Sequence, residues 1–174
     1  WLVFVDDAGV GTALVEQLRS QGELVVAVKS GDAFSQTANN SYAIDPRKAA
    51  DYDALIGALI TSGRRPRRIA HLWSLGARPP ASSKAAAFAD AQDRGFYSVL
   101  RLAQALGRQF GTEPLDIAIV GDGLHAVERG DVVSPEKSPV LGLALVVAQE
   151  YPHISCGSID VAVRAGDRRA AAEG

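Results

Sequence analysis

The sequence predicts an α/β fold in which a doubly wound parallel sheet carries helices on its faces. Three observations predict it. Six short apolar runs of strand length alternate with helical patterns along the chain. Several of the runs are continuous rather than alternating, as strands covered on both sides require. The first run passes through a turn containing Gly9 and Gly11 directly into an amphipathic helix, which is how sheets that bind dinucleotides begin.

In chain order, residues 2–5 form the first strand and residues 12–21 a helix with Ala13, Leu14 and Leu18 inward and Gly22 as its cap. Residues 24–28 are the second strand. The stretch 34–41 is polar and turn-rich, and 42–45 is a short third strand closed by Pro46. A helix over 51–60 places Tyr52, Leu55, Ile56 and Leu59 on one face. Residues 69–75 are the fourth strand, followed by a loop over 76–83 that Pro79 and Pro80 keep non-helical. A long helical pattern runs from 84 to 110 with an interruption expected at Gly95. Its stripe is Phe96, Leu100, Ala103, Leu106 and Phe110. Residues 115–120 are the fifth strand and 121–130 a loop. Ser138 then caps a helix that has Pro139 at its first position. Residues 140–148 are apolar all round, which predicts burial on more than one side. Pro152 ends that helix, and 154–163 supply the sixth strand. The result is a Rossmann-like sheet whose ligands, if any, belong outside the carboxyl ends of the strands.

The first turn is where a dinucleotide would be received, and its motif is broken. A working fingerprint, G-x-G-x-x-G or T-G-x-x-x-G-x-G, lets backbone N–H groups and a helix N-terminus face a pyrophosphate. Gly9 and Gly11 survive, while Val5, Asp6 and Asp7 stand where the first glycine and its neighbours belong. At an effective dielectric near 20 and about 5 Å, each carboxylate costs on the order of 3 kcal/mol per phosphate charge. The stretch Asp6, Asp7, Gly9, Gly11 is therefore read as a vestigial loop, with no cofactor-binding residue assigned. Lys29, after the second strand, is a candidate phosphate contact, but a solvated strand end is the better reading.

Composition sets broader limits. A chain of 174 residues, 47% hydrophobic, suits one domain. The formal charge of −2 provides no global field for nucleic acid or anionic lipid. The one dense basic cluster, residues 64–68, lacks aromatic platforms and reads as a solvated turn. A single cysteine, Cys156, excludes an internal disulfide framework and points to a cytoplasmic setting. No run has membrane-spanning length. The chain has no methionine and Trp1 already lies in a strand-like run. The expectation is a segment of a longer polypeptide, with residues 1–163 as the domain and 164–174 as a linker.

The chemistry of a short-chain reductase needs a tyrosine acid, a lysine or equivalent beside it, and a serine on the substrate oxygen. After the fifth strand stand Gly121, Asp122 and Gly123, with no serine before Ser134. No tyrosine lies between Tyr97 and Tyr151, and none has Lys or Asn four residues later. His71, His125 and His153 have no ligand spacing, so no metal site is assigned. Asp122 and Glu128 flank His125 without a nucleophile or oxyanion site beside them. His71 reads as a satisfied core histidine and Cys156 as a small buried hydrophobe. No catalytic residue is assigned.

Several short motifs in order carry a resemblance. They are His71-Leu-Trp-Ser-Leu75, Gly95-Phe-Tyr-Ser-Val-Leu100 with Leu102-Ala-Gln-Ala-Leu106, Ser134-Pro-Glu-Lys137, and Gln149-Glu-Tyr-Pro152 through Ser158-Ile-Asp-Val161. Together, over residues 1–161, they resemble the N-terminal structural subdomain of polyketide synthase ketoreductases. That resemblance implies a truncated Rossmann fold of short-chain-reductase type, without cofactor or catalytic residues of its own. It further implies NADPH in an adjoining catalytic half, with that half or a C-methyltransferase of the same polypeptide as partner and acyl carrier protein as an indirect one. Two alternatives stay open: an active NAD(P)-binding oxidoreductase fragment, favoured by Gly9 and Gly11, and a protein-interaction or dimerisation module using the Phe96–Leu100–Leu106 stripe.

Overall fold

The structure, a computed structural model, describes residues 1–38, 40–76, 83–126 and 133–161. Its strands are β1 Leu2–Phe4, β2 Val26–Ser30, β3 Ser35–Ala38, β4 Ser41–Ile44, β5 Arg68–Ser74, β6 Leu115–Gly121 and β7 Ile154–Asp160. Its helices are α1 Val10–Ser20, α2 Ala49–Thr61, α3 Lys84–Gln92, α4 Ser98–Gln109 and α5 Pro139–Glu150, with a π-helical turn Asp93–Tyr97 joining α3 to α4. They form one sheet in the order β3-β4-β2-β1-β5-β6-β7. Every pairing is parallel except β3 with β4. The strand order reverses about β1, which sits between β2 and β5, so the switch point of the sheet lies at the carboxyl ends of β1 and β5.

Strand alternation divides the core. Leu2, Phe4, Val28, Ile69, Ile117 and Ile119 face α2, α4 and α5. Val3, Val5, Ala27, Ala70 and Leu72 face α1. On the α1 side, Asp116, Ser155, Gly157 and Ile159 are exposed, so among the described residues no helix covers β6 and β7 there. No described helix is long and apolar enough to cross a membrane.

The expected α2 face is met in full: Tyr52, Leu55, Ile56 and Leu59 are fully buried. Gly22 ends α1 at a φ of 84° while Glu23 N–H bonds back to Leu18, as the glycine cap requires. Other expectations need correction. The sheet has seven strands, because the polar stretch Ser35–Ala38 pairs antiparallel with β4 as an exposed edge. β2 starts two residues later than expected, since register follows Trp1, whose carbonyl accepts from Val26 N–H, and Leu24 is left 82% exposed. Helix α1 begins two residues early and buries Val10, Gly11, Val15 and Leu18, with Ala13 and Leu14 only half-buried.

The long helix is interrupted at Gly95, as expected, and the interruption is a π turn. Of the expected stripe, Ala103, Leu106 and Phe110 are buried while Phe96 and Leu100 sit at the margin, and Val99, Leu102 and Ala105 complete the buried face. Helix α5 is buried on one side only, through Val140, Leu143, Ala144 and Val147. Leu145 and Val146 point outward, 69% and 49% exposed. Ser138 does not cap α5 with its side chain, its Oγ donating instead to the Pro135 carbonyl at 2.8 Å. The loop at Pro79 and Pro80, Glu128 and the stretch 164–174 lie outside the described residues.

Candidate functional site

The carboxyl end of β1 meets the start of α1 at the sheet's switch point. Gly9 turns the chain at a φ of 97°, a conformation that costs other residues a Cβ clash. The first N–H groups of a helix have no partner within it and carry the positive end of its dipole, which makes them an anion site. In this chain an internal anion takes them. Asp6 Oδ2 accepts from Val10 N–H at 3.3 Å and Oδ1 accepts from Gly11 N–H at 2.5 Å, with Asp6 buried. Gly11 is needed for that approach, because a Cβ there would stand 2.9 Å from Asp6 Oδ1 and 3.0 Å from Val5 Cα.

Asp6, Gly9 and Gly11 therefore come together as the sequence suggests, and Asp7 does not join them. Its side chain is 83% exposed and pairs with Arg94 Nη1 at 2.8 Å, while the same guanidinium also reaches Asp90 at 3.4 Å. The two carboxylates do not act alike. Asp6 fills the donors a pyrophosphate would need, whereas Asp7 ties the turn to the π segment. Nothing in the sequence pattern pairs Asp7 with a residue 87 positions away.

At the ends of β2 and β4 a polar cleft of about 350 Å³ is lined by Asp32, Asp45, Asp90 and Asp93 with Arg47 and Arg94. Asp45 is buried, and hydrogen bonding to the Arg47 guanidinium holds its carboxyl down at about 2. Asp45 also takes Lys48 Nζ at 3.3 Å, and that ammonium donates to the Asp32 carbonyl. Lys29 is exposed, as expected of a solvated strand end.

Past β5 and β6 the same pattern recurs. Asp122, standing where a reductase would place its serine, bonds Lys137 Nζ at 2.7 Å and accepts from Gly76 N–H at 2.9 Å. Lys137 is buried, and Gln92 Nε2 donates to the neighbouring Glu136 carbonyl. Lys137 was legible in the sequence only as part of a motif, since its partner lies across the fold. Asp122 is taken by this ion pair, while His125 N–H donates to Asp160 Oδ2.

His71 is fully buried. Its Nε2 lies 2.7 Å from Ser98 Oγ, which in turn bonds the Tyr52 hydroxyl at 2.8 Å. Its Nδ1 has no hydrogen-bond partner among the described residues, so the core histidine is satisfied there on one side only. Burial pushes its pKa down to about 3, so the ring is neutral near pH 7. Burial likewise pushes the half-buried Cys156 thiol up to about 11, away from thiolate chemistry. Among the described residues no three His, Cys, Asp or Glu side chains gather as a metal site.

A family model described as beta-ketoacyl synthase-like, N-terminal, matches residues 1–170. The chain belongs to that family. Among solved structures, this family member is similar to the adenylation, ketoreductase and pseudo Asub multidomain structure of a keto acid-selecting NRPS module. The TM-score there is 0.82 with 25% identity, covering 99% of this chain and 14% of that one. An N-terminal ketoreductase from the macrolactin assembly line gives 0.76 and 24%, over 91% of this chain and 31% of that one. A short-chain dehydrogenase/reductase from Serratia marcescens gives 0.66 and 18%, over 99% and 85%. The chain thus spans less than a third of the first two, and its fold is that of the short-chain reductases. No curated protein sequence matches it.

Proposed function

We propose that this chain is the non-catalytic structural half of a polyketide synthase ketoreductase, and that it holds an NADPH-dependent catalytic half of the same polypeptide. The observation that carries the proposal is the Asp6 carboxylate seated on the Val10 and Gly11 N–H groups of α1. A dinucleotide pyrophosphate fits the same donors, so the residues present do not suit NADPH. The Asp122–Lys137 pair supports the reading from the other side of the switch point, where proton-donor chemistry would need room. The fold kept around these closed ends is then useful as a surface. Helix α5 supplies one: Leu145 and Val146 stand outward on a helix with no charged residue before its last position. These side chains suit a contact with another domain. A C-methyltransferase neighbour in the same polypeptide is a further candidate for that contact.

Reconstitution tests it. The downstream half, expressed separately, is assayed for NADPH-dependent reduction of a β-ketoacyl thioester with and without this chain. Reduction that depends on the chain, and is lost when Leu145→Glu and Val146→Glu are combined, supports the reading. Full reduction by the downstream half alone removes it. Self-association through this α5 face would show instead as a dimer in light scattering that the double variant dissolves.

A further inference from the structure

The amino ends of the strands, opposite the closed ends, carry the densest positive charge of the chain. Arg64, Arg65 and Arg67 are exposed on the turn between α2 and β5, and Arg68 is exposed at the start of β5. Arg65 pairs with Glu113 at 3.7 Å. Among the described residues, no ion pair engages Arg64, Arg67 or Arg68. Beside them lies a cleft of about 150 Å³, walled by Trp1, Leu24, Leu59 and Pro66 and rimmed by Arg64 and Arg65. Asn40 also lines this cleft, and its Oδ1 is buried with no donor among the described residues.

We propose that this cleft docks an acidic protein segment that inserts one aliphatic side chain. Two features choose the occupant. Guanidinium forks match carboxylates in geometry as well as charge. The apolar walls, with Leu24 82% exposed, have room for a side chain between the arginines. A single-stranded nucleic acid would want an open aromatic face, and the Trp1 ring is already covered by the Arg68 guanidinium at 5.3 Å.

The test titrates the 174-residue chain with a fluorescein-labelled peptide of glutamates around one central leucine. Saturable binding is expected, with a change in Trp1 emission, because Trp73 is buried at 3% exposure. Replacing the peptide's leucine by glycine, or combining Arg64→Glu with Arg68→Glu, is expected to weaken binding about tenfold or more. Leu24→Ser weakens it in the same direction, and Lys29→Glu at the opposite end leaves it unchanged. Thermal melts by circular dichroism confirm that each variant folds. Leucine-independent binding, equal loss in Lys29→Glu, tighter binding of polyuridylate than of the peptide, or no saturable binding would each overturn the proposal.

Discussion

At the residue scale the chain replaces a ligand by its own side chains. Asp6 caps α1 from within, so Asp6→Ala leaves two buried N–H groups without an acceptor. The expected loss is roughly 1–3 kcal/mol in urea unfolding, with Asp6→Asn milder because its carbonyl still accepts. His71 gives a pH signature. Its folded pKa of about 3 lies below an unfolded value near 6.5, so between these limits the unfolded chain binds the extra proton. The contribution is complete above pH 6.5 and falls by about 1.4 kcal/mol per unit as pH drops toward 3. Denaturation at a series of pH values should show that slope, and His71→Gln should flatten it. Asp45, held at about 2, loses its own contribution only below about pH 4, so the stretch from pH 6.5 to 4 reports His71 without it. Asp6 was visible in the sequence as a misplaced carboxylate, yet its bonds were not, because a motif shows which residues stand in a turn and not which donors they reach.

At the scale of elements, what was legible came from period and punctuation. The α2 face and the break at Gly95 were written in spacing and in a glycine. The α4 face was partly so: Ala103, Leu106 and Phe110 of the expected stripe are buried, while Leu100 lies at its edge and Val99 and Leu102 are buried beside it. Strand β3 was hidden because Ser-Gln-Thr-Ala has no strongly apolar member to mark it, and its ladder with β4 forms it. Helix α4 also depends on a detail that spacing cannot show. A Cβ on Gly107 would fall within the Tyr151 ring, at the end of α5. Gly107→Ala should therefore destabilise by about 1–3 kcal/mol, although alanine is the better helix former by nearly 1 kcal/mol. Combining it with Tyr151→Leu should recover much of the loss, which a double-mutant cycle in urea would measure.

At the scale of the whole molecule, a complete sheet carries closed strand ends and an unfinished exterior. One face is covered by α2, α4 and α5, while the other leaves β6 and β7 open among the described residues. Leu145 and Val146 add an apolar ridge. Combining Leu145→Glu with Val146→Glu should change the isolated chain's stability by no more than about 0.5 kcal/mol, because neither side chain is in its core. A larger loss in urea unfolding would place that ridge in the core. This exterior is half legible: an all-apolar helix predicts burial on more than one side, and the chain buries one. The fold itself, by contrast, is well determined by its strands, and the family match and its ketoreductase-containing neighbours agree with it. The central claim is that the switch point is filled from within, and calorimetric titration of the chain with NADPH tests it most directly. The account predicts no saturable heat up to roughly millimolar cofactor; a micromolar dissociation constant would contradict it.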